Sequence, residues 1–205
     1  MEYTYSKSNS VIRLPNKELT LLDRLVLDFI SRIDVDYVIV SGYVTILFGR
    51  DRHTEDVDIF IRHLDREGFS KLYKRIIGSG KYYCINTDNA DDAYMILGEK
   101  SAIRFAETGT IDPNFEIKFP QNELNLYSLD NPMTVILNNK SRMRIGPLEL
   151  QLAYKLYLGS AKDYEDAAHI YTIFKNDLDV DELRKFIKRL HIKDSVVKTV
   201  FRENI

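Results

Sequence analysis

The chain has 205 residues, of which 44% are hydrophobic and 29% charged, the composition of an ordinary globular protein with a substantial core. Its formal net charge of −2 excludes the overall basic field of a dedicated nucleic-acid-binding protein, although a local basic patch stays open. The single cysteine excludes an internal disulfide, and no stretch reaches the roughly 18 apolar residues that a membrane span requires.

The N-terminus and the cysteine content predict where the protein works. The opening residues, MEYTYSKSNS, are polar and lack the apolar run of a signal peptide. Cys84 fits a reducing compartment, and we interpret it as a buried inert thiol because no catalytic partner is evident near it in the sequence. We therefore predict a cytoplasmic protein without a membrane segment.

Apolar spacing predicts alternating helices and strands in the first part of the chain. Apolar residues recur at helical spacing over 17–33, and the β-branched run YVIV at 37–40 predicts a buried strand. Gly42 and Gly49 bracket a short predicted helix over 43–48. Further predicted elements are strands at 57–61, 81–85, 101–105 and 115–119, a helix at 66–78, and a hairpin whose strands, MTVIL and RMRI, flank Asn138-Asn139-Lys140.

The pattern changes at Pro147, after which no convincing strand is found and apolar residues recur every three to four positions. Pro147 suits a first helical turn, and Gly159 followed by Ser160 and Asp163 predicts that one helix ends and another begins. We therefore predict an α/β domain over residues 1–146 and a domain of three or four helices over residues 147–205.

The stretch SGYVTILFGRDRHTEDVDIFI, residues 41–61, carries the strongest chemical signal. In an extended segment Asp56 and Asp58 point to one face, and the apolar residues between and after them point to the other. Two carboxylates this close repel, and a hard divalent ion relieves that repulsion; Mg²⁺ usually binds through one or two carboxylates plus substrate phosphates. The pattern predicts part of a site for Mg²⁺, with Mn²⁺ as an alternative. The competing interpretation is an edge strand whose two acidic side chains are simply exposed to solvent.

Ser41 and Gly42 end the strand that precedes this short helix. Glycine lets the backbone come close to a ligand, and N–H groups at a helix start attract anions, so the turn is predicted to hold a triphosphate. Arg52 and Thr54, between the turn and the acidic pair, are further predicted nucleotide-binding residues. Taken alone, Gly42 is better explained by the turn itself.

These features resemble a known group. A small-residue pair after a strand, a short helix, and Asp-x-Asp on the next strand resemble the signature of the DNA polymerase β-like nucleotidyltransferase superfamily. The closer string, with Gly-Tyr, Phe-Gly-Arg, Arg-x-Thr and Asp-Val-Asp, resembles the AbiEii-like branch of abortive-infection toxins, although the family more often has glycine in place of Ser41. The resemblance runs from about residue 17 to 171, and it implies an α+β fold with a mixed sheet flanked by helices and a C-terminal helical bundle.

The resemblance also implies a third carboxylate on a later strand. FEIKF supplies Glu116, with apolar residues on its other face and Lys118 on the same face. Glu116 would then be a catalytic carboxylate and the third metal ligand, where the family more often has aspartate. The competing interpretation is a strand residue that faces solvent.

A second match lies in LELQLAYKLYLGSAKDYEDAAHIY, residues 148–171. It resembles the family pattern of a lysine on one helix followed by Lys/Arg-Asp-x-x-Asp on the next, at Lys155, Lys162, Asp163 and Asp166. The resemblance implies that Lys155 and Lys162 contact nucleotide phosphates and that Asp163, at the cleft, helps to activate the acceptor. Without the resemblance, Asp163 caps a helix and Lys162 forms a surface pair with Asp166.

Together these features predict a metal-dependent nucleotidyltransferase that moves an NMP from an NTP to an acceptor hydroxyl or phosphate. The acceptor stays open between tRNA, a protein and a small molecule, and a toxin-like role implies a cognate antitoxin as a partner. The alternative is a non-catalytic nucleotide-binding or interaction module on the same fold. The presence of all three carboxylates argues against that alternative.

Overall fold

The computed structural model describes residues 2–203 and 205. Its strands are β1 (Thr4–Ser6), β2 (Val11–Leu14), β3 (Tyr37–Val40), β4 (Asp56–Ile61), β5 (Tyr82–Cys84), β6 (Ile103–Glu107), β7 (Asn114–Lys118), β8 (Met133–Leu137) and β9 (Ser141–Ile145). Its α-helices are α1 (Leu21–Ile30), α2 (Gly42–Leu47), α3 (Arg66–Ile77), α4 (Ala90–Gly98), α5 (Glu123–Asp130), α6 (Leu148–Leu158), α7 (Ala161–Phe174), α8 (Val180–Arg189) and α9 (Asp194–Phe201). In the described part of the chain, no helix has the length and apolar character needed to cross a membrane.

The strands form one mixed sheet in the order β1-β2-β8-β9-β3-β4-β7-β6-β5, and the fold is of the predicted α+β class. All of these strands precede α6, and four helices, α6 to α9, follow within the described residues. Buried residues of the sheet and of these helices belong to one continuous hydrophobic cluster. The division into residues 1–146 and 147–205 stays a prediction.

The central strand β4 has the predicted alternation of faces. Val57, Ile59 and Ile61 are fully buried, whereas Asp56 and Asp58 are half-buried on the opposite face. β4 runs antiparallel to β3 and parallel to β7. Because β4 is held on both edges, the two carboxylates lie on a strand with little freedom to move.

The next strand, β7, is anchored by its apolar face. The ring of Phe115 stacks on Phe29 of α1 with centroids 3.8 Å apart, and Ile117 is fully buried. The side chain of Glu116 therefore projects to the other face of the sheet. In the pairing of β4 with β7, Glu116 is the register partner of Asp58. The third carboxylate is thus on the same face as the first two, and Glu116 is buried rather than facing solvent.

Several predicted boundaries differ from the structure. The helix predicted over 17–33 begins only at Leu21, because the Thr20 hydroxyl accepts the Asp23 N–H and the Asp23 carboxylate accepts the Thr20 N–H. Four elements, β1, β2, α4 and α5, lie in segments for which the sequence predicted none. Asn89 and Asn122 cap the N-termini of the two helices, and their side chains accept backbone N–H groups. Asparagine is favoured at helix starts, and these two residues were the available signal.

The predicted break after α6 is confirmed. Gly159 has a φ of +74°, which favours glycine, and the Ser160 hydroxyl accepts the Asp163 N–H at 3.2 Å to begin α7. The hairpin between β8 and β9 also follows the prediction, with Asn138 and Asn139 at positive φ. Cys84 is buried, as expected.

Candidate active site

The turn between β3 and α2 has an unusual backbone. Ser41 has a φ of +67°, a conformation that favours glycine, at the position where the resembling family more often has glycine. Its N–H donates to Gln151 Oε1 of α6 at 3.1 Å. At Gly42 a Cβ atom would lie 2.5 Å from Nη2 of Arg52, so close packing against this guanidinium favours glycine.

Asp56 is the carboxylate without a partner in this site. It accepts no side-chain hydrogen bond and forms no ion pair within residues 2–203 and 205. Burial raises the pKa of Asp56, and the charges of Asp58 and Glu116 raise it further. This is the electrostatic repulsion that a shared cation would relieve.

The other two carboxylates are bound by basic side chains. Lys118 Nζ lies 2.7 Å from Asp58 Oδ1 and 2.7 Å from Glu116 Oε2, and Arg104 Nε lies 2.7 Å from Glu116 Oε1. Burial acts to raise the pKa of Glu116, but hydrogen bonds from Lys118 and Arg104 outweigh it and the pKa lies below its usual value. Burial acts to lower the pKa of Lys118, but the charges and hydrogen bonds of Asp58 and Glu116 together outweigh it and the pKa is raised.

A bidentate ion pair with Asp166 of α7 holds Arg52 next to the Ser41-Gly42 turn. Its Nε and Nη2 donate to the two Asp166 oxygens at 3.0 Å each, and its Nη1 donates to the His53 carbonyl at 3.0 Å. Asp166 is fully buried and also lies 3.0 Å from Arg50 Nε. The predicted nucleotide-binding Arg52 is therefore held by protein contacts, and Asp166 is an anchor rather than half of a surface pair with Lys162.

Lys155 joins the same network from α6. Its buried Nζ donates to Asp163 Oδ1 and Asp166 Oδ2, at 2.9 Å each. Asp163 also accepts the Ser160 hydroxyl at 2.6 Å. Burial acts to raise the pKa of Asp163, but the hydrogen bonds from Lys155 and Ser160 outweigh it and the pKa is lowered. Because a lowered pKa makes a carboxylate a weaker base, this geometry gives no support to acceptor activation by Asp163.

The two remaining predicted residues flank Asp56. The Thr54 hydroxyl donates to the Asp56 carbonyl at 3.0 Å, so this buried threonine fixes the start of β4. Lys162 is exposed on the first turn of α7. Its positive charge acts to lower the pKa of Asp56, against the larger effect of burial that raises it. Lys162 thus lies on the Asp56 side of the site.

A cavity of about 310 Å³ opens beside these groups. It is enclosed by the ends of β3, β4 and β7, by α5 with the loop before it, and by α6. Three predicted site residues, Ser41, Asp58 and Lys155, line it together. The other predicted site residues do not line it; these are Gly42, Arg52, Thr54, Asp56, Glu116, Lys162 and Asp163.

Other lining residues were not predicted from the sequence. They include Gln151 and Tyr154 on the cavity side of α6, and Gln121, Asn122 and Asn125 at the start of α5. The signal for Gln151 was available, because a residue four positions before Lys155 shares its helix face. The residues of α5 and of the loop before it were not identified, because that helix was not predicted.

Asp56 and Asp58 fit a hard divalent cation. They are oxygen donors on the same face of one strand, and Asp56 is without a partner among the described residues. Within the described part of the chain, no group of three or more His, Cys, Asp or Glu residues is placed to share a metal ion. Lys118 Nζ lies between Glu116 and Asp58, 2.7 Å from an oxygen of each.

Comparison with known proteins bears on the fold. No protein-family model and no curated protein matches the chain. Among solved structures, the chain resembles an antigenic nucleotidyltransferase-like protein from Paracoccidioides brasiliensis, with a TM-score of 0.51 and 18% identity over 88% of this chain and 90% of that chain. At this identity the likeness concerns the fold alone, and the chain has a nucleotidyltransferase-like fold.

Proposed function

We propose that this chain is a metal-dependent nucleotidyltransferase that moves an NMP from an NTP to an acceptor. One observation carries the proposal: Ser41, Asp58 and Lys155, taken from three separate elements, line one cavity beside Asp56. A turn residue, one carboxylate of the acidic pair and a buried lysine at one cavity are groups that binding of a metal-bound triphosphate would use.

In this proposal the nucleotide enters the cavity with its phosphates toward the Ser41-Gly42 turn. Lys155 supplies positive charge at the cavity wall, and its contacts with Asp163 and Asp166 fix its Nζ in place. The Asp166–Arg52 pair holds the guanidinium against Gly42 and so fixes the turn. Lys162 adds a second positive charge on the Asp56 side.

Asp56 and Asp58 would hold Mg²⁺, with Mn²⁺ as a substitute, and the bound ion would neutralise phosphate charge in the transition state. An acceptor oxygen attacks the α-phosphorus and forms a new P–O bond. The bond from the α-phosphorus to the bridging oxygen breaks, and pyrophosphate leaves with its electron pair while the acceptor proton passes to solvent. We assign Asp163 to the positioning of Lys155 rather than to proton transfer, because its pKa is lowered.

We further propose that the protein belongs to the AbiEii-like branch and acts in the cytoplasm as the toxin of a toxin–antitoxin pair. The motif string in residues 41–58 supports this assignment. The acceptor would then be tRNA or a protein, whereas a role in resistance would require a hydroxylated small molecule. Transfer to RNA, to a protein or to a small molecule gives labelled products of different size and chemistry. One experiment can therefore separate these acceptor classes.

The test is label transfer by the purified protein in a cell extract, with each NTP supplied in turn. An α-³²P label should appear on RNA, protein or a small molecule, and a γ-³²P label should be released as pyrophosphate. Asp58→Asn should abolish transfer, and Asp88→Asn, an exposed acid on the loop before α4, should leave it unchanged. No transfer of the α-label to any fraction, despite tight NTP binding, would contradict the enzyme proposal.

A non-catalytic nucleotide-binding module is the second candidate, and one observation favours it. Lys118 and Arg104 already neutralise Glu116, as a fold retained only for binding would allow. The same label experiment separates the two, since a module would bind NTP and transfer nothing.

A further inference from the structure

We infer that Lys118 is a permanent cation of the carboxylate cluster, so that the site takes one divalent ion, at Asp56 and Asp58, and no second ion at Glu116. The inference rests on the proposed function, since it concerns how that site binds its metal. It departs from the expectation that all three carboxylates are metal ligands.

The first argument is the distribution of hydrogen bonds in the cluster. Both oxygens of Glu116 accept charged donors: Oε1 accepts Arg104 Nε and Oε2 accepts Lys118 Nζ, at 2.7 Å each. Glu116 is buried, and its side chain is only 10% exposed. A metal ion at Glu116 would therefore have to displace a hydrogen-bonded charge from a crowded site.

The second argument is the position of the ammonium group. Lys118 lies two residues beyond Glu116 on β7, and its Nζ reaches back to bridge Glu116 and Asp58 at 2.7 Å from each. A lysine ammonium is a compact point charge. It thus occupies the space between the two carboxylates that a bridging ion would need.

The third argument is the charge balance. Asp56, Asp58 and Glu116 carry three negative charges, and Lys118 and Arg104 carry two positive charges, so one net negative charge remains. That charge is centred on Asp56, the carboxylate without a partner in the described residues. One divalent ion more than neutralises the cluster, and a second would make it strongly positive before the nucleotide phosphates arrive.

The test counts the Mn²⁺ ions bound per chain under conditions in which the nucleotide is not consumed. Each α,β-methylene nucleoside triphosphate, which cannot release pyrophosphate, is added to saturation, and free Mn²⁺ is measured by electron paramagnetic resonance. We expect one bound Mn²⁺ per chain in the wild type, one in Lys118→Arg, which keeps the charge, and two in Lys118→Met, which removes it. Mn²⁺ held by a nucleotide alone is subtracted by repeating the titration with Asp58→Asn.

The outcomes separate this inference from the proposed function. Two Mn²⁺ ions in the wild type would overturn the inference and leave the proposed function standing. A single ion in Lys118→Met that folds, as judged by circular dichroism, would overturn it as well. If Lys118→Met does not fold, the wild-type count alone decides. No bound Mn²⁺ in the wild type beyond the Asp58→Asn level would overturn the metal site, and the inference with it.

Discussion

Ser41 and Gly42 form a closely packed turn at the candidate site. Ser41 adopts a φ of +67°, and Gly42 lies beneath the Arg52 guanidinium, where a Cβ would be 2.5 Å from Nη2. The backbone therefore has a glycine-type conformation at a serine and a glycine where no side chain fits. Ser41 thus adopts a backbone conformation that glycine would adopt without strain.

Ser41→Gly should stabilise the protein. A non-glycine residue in a sparsely populated conformation costs about 1–3 kcal/mol, and glycine loses about 0.5–1 kcal/mol through the greater entropy of the unfolded chain, so a net gain of about 1 kcal/mol is expected. The melting temperature should rise by roughly 2–4 °C. Ser101→Gly, at an exposed position without positive φ, is the control and should give no gain. A lower melting temperature for Ser41→Gly would show that Ser41 is not strained.

Asp56→Asn should also stabilise the protein when EDTA removes divalent ions. The pKa of Asp56 is raised in the folded state by burial and by the charges of Asp58 and Glu116, so ionised Asp56 opposes folding at neutral pH. The amide carries no charge, and the variant should melt at a higher temperature than the wild type at pH 7. The difference should shrink as the pH falls through the folded-state pKa and vanish below the unfolded value of about 3.9. Thermal melts across this range check the sign, and a wild type that is more stable at pH 7 would contradict it.

At the scale of elements, α7 connects the later helices to the site. Asp166 is 0% exposed and faces Arg50, Arg52 and Lys155, so one buried carboxylate joins α7 to α6 and to the segment before β4. This network holds the turn and Lys155 in fixed relation. The helices after Pro147 are therefore part of the site rather than an appendage to the sheet.

Asp166→Asn should destabilise the protein, because it leaves three cations around a neutral group. Removing one partner of a buried ion pair costs about 3–5 kcal/mol, and we expect the low end because Asp163 and Glu165 still face Lys155 and Arg50. The melting temperature should fall by roughly 6–12 °C. The control is Glu165→Gln, since Glu165 pairs with Arg50 but is 63% exposed, and exposed pairs contribute at most about 1 kcal/mol. Equal losses in the two variants would contradict a central role for Asp166.

The sequence predicted elements with strong periodicity and missed those without it. The alternation around Asp56 and Asp58 and the run at 37–40 identified β4 and β3, because buried strands show their period in the residues themselves. α4 and α5 were missed, because their apolar residues are weakly concentrated on one helix face and only their Asn caps gave a signal. As a result, the cavity wall formed by α5 was not predicted from the sequence.

At the scale of the whole molecule, the sheet and the later helices share one core, and the cavity lies between them. Strand alternation indicated that Asp56 and Asp58 share one face, and the family resemblance indicated Glu116 on a later strand that faces them. Local motifs did not indicate that Lys118, Arg104 and Asp166 neutralise their neighbours. Lys118 and Glu116 are close in sequence, but Lys118 and Asp58 are 60 positions apart. Arg104 and Glu116 are 12 positions apart, and Arg52 and Asp166 are 114 positions apart. Such pairings depend on the tertiary fold.

The central claim is that Asp58, with Asp56, binds a divalent ion that bridges the protein to a triphosphate, and calorimetry tests it most directly. Each α,β-methylene nucleoside triphosphate is titrated with Mg²⁺ into the wild type, Asp58→Asn and the control Asp88→Asn. If a metal ion mediates binding, Asp58→Asn should bind the best nucleotide about tenfold more weakly, a loss of about 1.4 kcal/mol, and Asp88→Asn should match the wild type. If no metal ion is involved, removing a carboxylate from a phosphate site relieves repulsion. Equal or tighter binding by Asp58→Asn would therefore contradict the account.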